Sequence, residues 1–173
     1  MVSNQQTSIQ SLWPRLVRPA WRSRAIVCIR LAVGAIFFSQ GILKFLDPNL
    51  GVNRFTRIGF AHPAATAHFV GAFEIVCGAL VLLGALTRLT AVPLVIIMCT
   101  AIATTKIPEL SRPGQGFWYM VSDARTDFSM LMSLIFLLAA GAGRWSVDDW
   151  LARRADANSD AGQRRDAKVV RIA

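Results

Sequence analysis

Apolar residues fill four stretches of the chain almost without interruption, and short polar segments separate them. Ala25 to Leu46, Ala64 to Leu86 and Leu89 to Thr105 carry few charges, while a shorter fourth run, Phe128 to Gly141, borrows Val121 to Thr126 for length. A helix needs about 20 apolar residues to cross the hydrocarbon of a bilayer, so runs of this length read as spanning helices. The pattern predicts an all-α integral membrane protein, an antiparallel bundle of four transmembrane helices at about 25–46, 64–86, 89–105 and 122–141. Thr87 and Arg88 leave so brief a turn that the second and third helices form a hairpin. Asp47 and Pro48 close the first helix, and the punctuated segment from Asn49 to Pro63 suits a short interfacial or re-entrant piece. The longest connection, Lys106 to Asp127, is rich in Pro and Gly. Its Phe117, Trp118 and Tyr119 fit either a cover over a ligand entrance or an interfacial aromatic belt.

The polar residues inside these runs carry the candidate chemistry. Glu74 lies about 15 Å from the start of its helix, too deep for a short side chain to reach head groups, so it must face protein, face water or stay protonated. It shares a stripe with Gly71 and Gly78, the small-residue face on which membrane helices approach closely. In the first helix Arg30, Gly34, Phe37, Gly41 and Lys44 lie on one face with Gln40 beside them. Arg30 and Lys44 sit near opposite ends, where long basic side chains snorkel to the interfaces; alternatively Arg30 reaches Glu74 as a buried ion pair. Lys44, Lys106 and Asp127 should share one depth at the other end, with Asp127 able to pair with either lysine.

Composition narrows the class. The 173 residues are 54% hydrophobic with a formal net charge of +9, and the basic residues flank the apolar runs rather than forming a patch for nucleic acid, which is not an expected partner. Twelve basic residues fall in the amino-terminal segment, at Arg88 and in the tail, against five in the opposite loops, Arg54, Arg57, Lys106, Arg112 and Arg125. The positive-inside rule then puts both termini in the cytoplasm of a bacterial-type plasma membrane. Residues 1–24, with Trp13, Trp21 and four arginines, suit a cytoplasmic surface segment leading into an uncleaved first helix, 25–151 form the membrane domain, and 152–173 read as a disordered tail. Cys28, Cys77 and Cys99 form no C-x-x-C pair; Cys77 and Cys99 lie at similar depth and either meet or simply pack. His62 and His68 are candidate proton carriers or ligands, but no metal-site spacing surrounds them and no metal is expected.

Four ordered blocks resemble the DoxX family of small membrane proteins: R-x-x-x-G-x-x-F-x-x-x-G-x-x-K-F from Arg30 to Phe45, G-x-x-E-x-x-x-G at Gly71, Glu74 and Gly78, G-x-x-T-R at Gly84, Thr87 and Arg88, and G-x-G-x-x-S-x-D at Gly141, Gly143, Ser146 and Asp148. Arg125, Thr126 and Asp127 resemble the start of the last helix in one branch of that family. The resemblance implies a link to membrane redox chemistry, as an accessory subunit of a quinone-linked or oxidative-stress and thiol system, with quinone as the cofactor to look for. The residues themselves show no nucleophile with its base, no phosphate-binding loop and no candidate dithiol, so catalysis by this chain alone is not indicated. Glu74 is the candidate intramembrane proton carrier. The competing expectation is a small-solute permease or a purely structural subunit held together by its polar stripe. Partners expected are the bilayer, membrane redox proteins and a second copy of the chain.

Overall fold

The computed structural model describes residues 24–111 and 116–157, all of them helix, turn or loop. Four long helices are joined by short pieces: α1 (Ala25–Leu46), α2 (Val52–Ile58), α3 (Pro63–Leu83), α4 (Thr87–Ala101), α5 (Phe117–Ala140) and α6 (147–157). Three stretches, Ala25–Leu46, Pro63–Leu83 and Thr87–Leu110, are long and apolar enough to cross a membrane. The expectations for the amino-terminal segment before Arg24 and for the end of the tail lie outside the described residues.

α1 and α3 pack closely because each lacks side chains where they cross. A Cβ on Gly34 would stand 3.0 Å from the carbonyl of Gly78, and one on Gly78 would stand 3.1 Å from that of Gly34. Gly41 and Gly71 repeat the arrangement, a Gly41 Cβ falling 2.7 Å from the Gly71 carbonyl. These two pairings make α1 and α3 antiparallel and fix their register. Small residues serve this purpose in lipid because close backbone approach multiplies dispersion contacts where hydrophobic burial gives little. Val33, Phe37, Val81, Leu94, Leu134 and Leu137 fill the core between the long helices.

The ends of the elements correct several expected boundaries. α3 stops at Leu83, where Gly84 takes a left-handed conformation, and α4 already starts at Thr87 rather than Leu89. Beyond Ala101 the expected third helix continues as a π-helical turn, Ile102–Lys106, followed by a 3-10 turn, Ile107–Ser111. Much of the expected long connection is helical as well: α5 begins at Phe117, with its aromatic cluster exposed in the first turns. The charges Asp123, Arg125 and Asp127 fall within the helix expected over 122–141, which starts at Phe117 instead. They are accommodated because Asp123 and Asp127, four residues apart, share a face toward Lys106 while Arg125 turns elsewhere. The tail also stays helical past Ala152, to residue 157.

Candidate functional site

Two polar centres occupy opposite ends of the bundle. At the end where α1 begins, called here the near end, Arg30 turns away from Glu74. Its guanidinium donates to the carbonyls of Ala142 at 2.9 Å and Trp145 at 3.0 Å, tying α1 to the segment after α5. Asp148 accepts from the backbone N–H of Leu86 at 2.7 Å and of Thr87 at 3.1 Å, while its own N–H donates to the carbonyl of Gly84 at 3.0 Å. It thus caps α4 from a distance of 61 residues in sequence, supplying acceptors to donors that a helix start leaves without partners. Ser146 Oγ accepts from the N–H of Asp149 and caps α6 in the ordinary local way. The G-x-x-T-R and G-x-G-x-x-S-x-D blocks are two halves of one knot, closed by Arg30. The ion pair expected as one alternative, Arg30 with Glu74, does not form.

At the opposite, far end a chamber of about 530 Å³ opens between α1, α3, α4 and α5, with α2 over it. Gln40 and Lys44 from α1, Glu74 from α3, Lys106 from the π-helical turn and Asp127 from α5 all line it. Lys44 Nζ lies 2.5 Å from Glu74 Oε2, with side-chain exposures of 13% and 6%. The register explains this contact. With Gly34 opposite Gly78 and Gly41 opposite Gly71, Glu74 is level with Phe38 and Lys44 with His68, about 9 Å apart along the axis. Cα–Cβ bonds tilt toward a helix's own amino terminus, so in antiparallel helices Lys44 leans inward and Glu74 leans outward until they meet. Phe45 stacks on His68 at 5.2 Å between ring centres and closes the same level.

Lys106 makes the second charged contact of the chamber. It pairs with Asp123 and stands 3.6 Å from Asp127, so the expected partner Asp127 shares the lysine with a second carboxylate one helical turn away. The recurrence of Asp at i and i+4 in DARTD was the available signal, visible once the segment is taken as helix. Arg54, from α2, also lines the chamber and lies within electrostatic reach of Glu74. Nothing in its local sequence marks it, because α2 reaches the chamber through its packing against α3. Below the charged groups Phe37, Ile97, Met98 and Met130 give the chamber an apolar floor. The cysteines do not meet: Cys28 and Cys99 are exposed, Cys77 is buried, and all three are free. His62 occupies the position before α3 and is exposed.

Comparison with known proteins agrees with the first three motif blocks, and the fourth, Gly141 to Asp148, lies beyond the stretch that the family matches. The DoxX family matches residues 25–107, from the start of α1 to the first residue of the 3-10 turn. The uncharacterized membrane protein Rv3486 of Mycobacterium tuberculosis is 54% identical over 152 residues, covering 84% of this chain and 91% of that protein. CatD of Bacillus subtilis, provisionally named an oxidoreductase, is 29% identical over 123 residues, 71% of this chain and 84% of its own length. No solved structure matches. The fold and site define a membrane protein with several apolar helices and a charged chamber at one end. The chain belongs to the DoxX family.

Proposed function

We propose that this protein is an accessory subunit of a membrane redox system and that its far-end chamber binds a quinone, with Glu74 holding the exchangeable proton. The observation that carries the reading is the Lys44–Glu74 pair at the inner edge of a largely apolar chamber. An intramembrane carboxylate on a packed face marks a functional position in membrane proteins, and ligand pockets are typically apolar with a few convergent polar groups. The chamber fits such a head group: Phe37, Ile97, Met98 and Met130 give an apolar surface for the ring, and Lys44 and Glu74 offer a donor and an acceptor at its edge. A bound quinone supplies two-electron, two-proton carrier chemistry. Glu74 would hold or release a proton at its carboxyl oxygen, Lys44 would fix that oxygen by donating to it, and the Lys106, Asp123 and Asp127 group lies on the way to the far-end surface. Electrons would come from a partner protein in the same membrane. The name of the CatD relative supports the redox association.

The same reading takes α5 as a fourth span. Its run from Phe128 to Ala140 is apolar, and its charged first turns rim the chamber at the far end. Both termini then face the cytoplasm of the plasma membrane, and the chamber opens to the outside. The test is purification from native membranes in mild detergent, with extraction of bound quinone and identification of co-purifying proteins. Stoichiometric quinone together with a redox partner supports the proposal. Solute flux through the purified protein in liposomes, without quinone, would favour the permease reading.

A further inference from the structure

α6 has its polarity reversed for a helix in water. Its acidic residues Asp148 and Asp149 are buried, Asp148 in its cap on α4 and Asp149 against Arg153. Val147, Trp150, Leu151 and Arg154 recur at i, i+3, i+4 and i+7 and all stand exposed, so the outward stripe is apolar with one arginine in it. Trp145, just before the helix, is 64% exposed, and its backbone is left-handed at φ 58°, with its carbonyl accepting from Arg30. Both exposed indoles carry a guanidinium on the ring: Arg24 lies 5.3 Å from the centre of Trp145 and Arg154 lies 3.9 Å from that of Trp150. Arg24 directly precedes α1, an apolar span, so its contact with Trp145 puts this face at the level where α1 enters the bilayer.

We infer that this face seats on the near-end leaflet of the bilayer and gathers anionic phospholipids, its indoles among the upper acyl chains and its arginines on the phosphates. A helix with an apolar stripe flanked by basic side chains lies in the interface plane, and indole rings settle at head-group depth. Arginine suits this place because its guanidinium stacks on an indole with one face and still offers its N–H edge to a phosphate. Charge selects among the lipids. Arg24, Arg144 and Arg154 stand at this end, Arg153 neutralises Asp149, and Asp156 is the exposed carboxylate that α6 adds, which leaves a positive surplus. A zwitterionic head group gains nothing net from that surplus, whereas an anionic one is attracted by it. Trp145 and Asp148 belong to the knot that ties α1, α4 and α6, so the lipid contact bears on the bundle itself. The inference concerns the end opposite the chamber and stands apart from the quinone reading.

The experiment uses the full chain carrying Trp13→Phe, Trp21→Phe and Trp118→Phe, in bilayer discs of equal parts phosphatidylglycerol and phosphatidylcholine. Only one of the two lipids carries bromine, placed high in its acyl chains. Bromine quenches tryptophan on contact, so quenching reports which lipid borders Trp145 and Trp150. Brominated phosphatidylglycerol should quench more, to a degree that corresponds to about fivefold enrichment, and the preference should shrink in about 1 M salt, where the screening length is about 3 Å. A chain that keeps only Trp118, at the far end, supplies the comparison. Equal quenching by the two lipids or an equal preference at Trp118 overturns the inference. So does the absence of quenching by either lipid, the result expected if a second copy or a partner protein covers the face. A second measurement keeps every tryptophan and therefore stands even if the reduced chain fails to fold: native mass spectrometry from micelles that hold both lipids. Arg24→Gln and Arg154→Gln should each lower retained phosphatidylglycerol about fivefold, and unchanged retention in both variants also overturns the inference.

Discussion

Lys44 and Glu74 meet at 2.5 Å across α1 and α3 although their backbones lie at different levels of the bundle. The two ends of this contact are not equivalent. Glu74 is short and its side chain is 6% exposed, so without Lys44 its charge is left with only the more distant Arg54 to balance it. Lys44 sits in the last turn of α1 on a long flexible stem and can swing outward if Glu74 is lost. Lys44→Met should therefore destabilise the protein by about 3–5 kcal/mol, the usual cost of an uncompensated buried charge. Glu74→Gln should cost about 1 kcal/mol, the scale of one hydrogen bond. Thermal unfolding of the two variants in one detergent reads the asymmetry, and equal losses would show that Lys44 cannot relocate.

The sequence carried this pair only in part. Both residues stood out because charges are rare in apolar runs, and their helices were recognisable by length. Their contact was not readable, since it depends on the offset between two helices, and that offset is set by which glycines interlock. The same limit explains Arg30: its position on the helix was legible, but its partners are carbonyls of Ala142 and Trp145, more than 110 residues away, and carbonyls leave no mark in a sequence. Asp123 and Arg54 are not marked as site residues for a different reason: each lies outside the continuous apolar runs, where a charge is unremarkable. The motif blocks were legible as patterns without revealing that two of them form one knot.

Glycine interlock gives a second prediction. A Cβ on Gly78 would come within 2.6 Å of the backbone nitrogen of Phe38, an atom that cannot move without moving α1. Gly78→Ala should cost about 1–3 kcal/mol by overpacking. Gly116→Ala is the control, since its Cβ would meet nothing within 4 Å. Midpoints in detergent that fall equally for both would contradict the close crossing.

The near-end knot gives a third. Leu86 holds a left-handed conformation, φ 51°, which disfavours a branched side chain, and Asp148 holds its N–H. Asp148→Ala should lower stability by about 1–2 kcal/mol through loss of the cap. Adding Leu86→Gly should recover part of that loss by relieving about 1 kcal/mol of backbone strain. A double variant no more stable than Asp148→Ala would show that the turn is not strained.

Topology supplies the fourth. With native cysteines replaced, cysteine introduced at Ser3 or Arg88 should react only with reagents that cross the membrane, and cysteine at Arg54 or Gln115 should react with impermeant ones. Labelling of the Gln115 position only from the cytoplasm would reverse the orientation and the direction in which the chamber opens.

Infrared difference spectroscopy on the purified protein with added short-chain quinone, recorded as the sample is electrochemically reduced, tests the central claim most directly because it observes carboxyl protonation itself. The account predicts a carboxyl band that responds to reduction in the unaltered protein, shifts on hydrogen-deuterium exchange, and is missing in Glu74→Gln, while Asp127→Asn leaves it in place. An identical band in Glu74→Gln, or no carboxyl response although quinone is bound, would contradict the assignment of Glu74 as the proton-holding group.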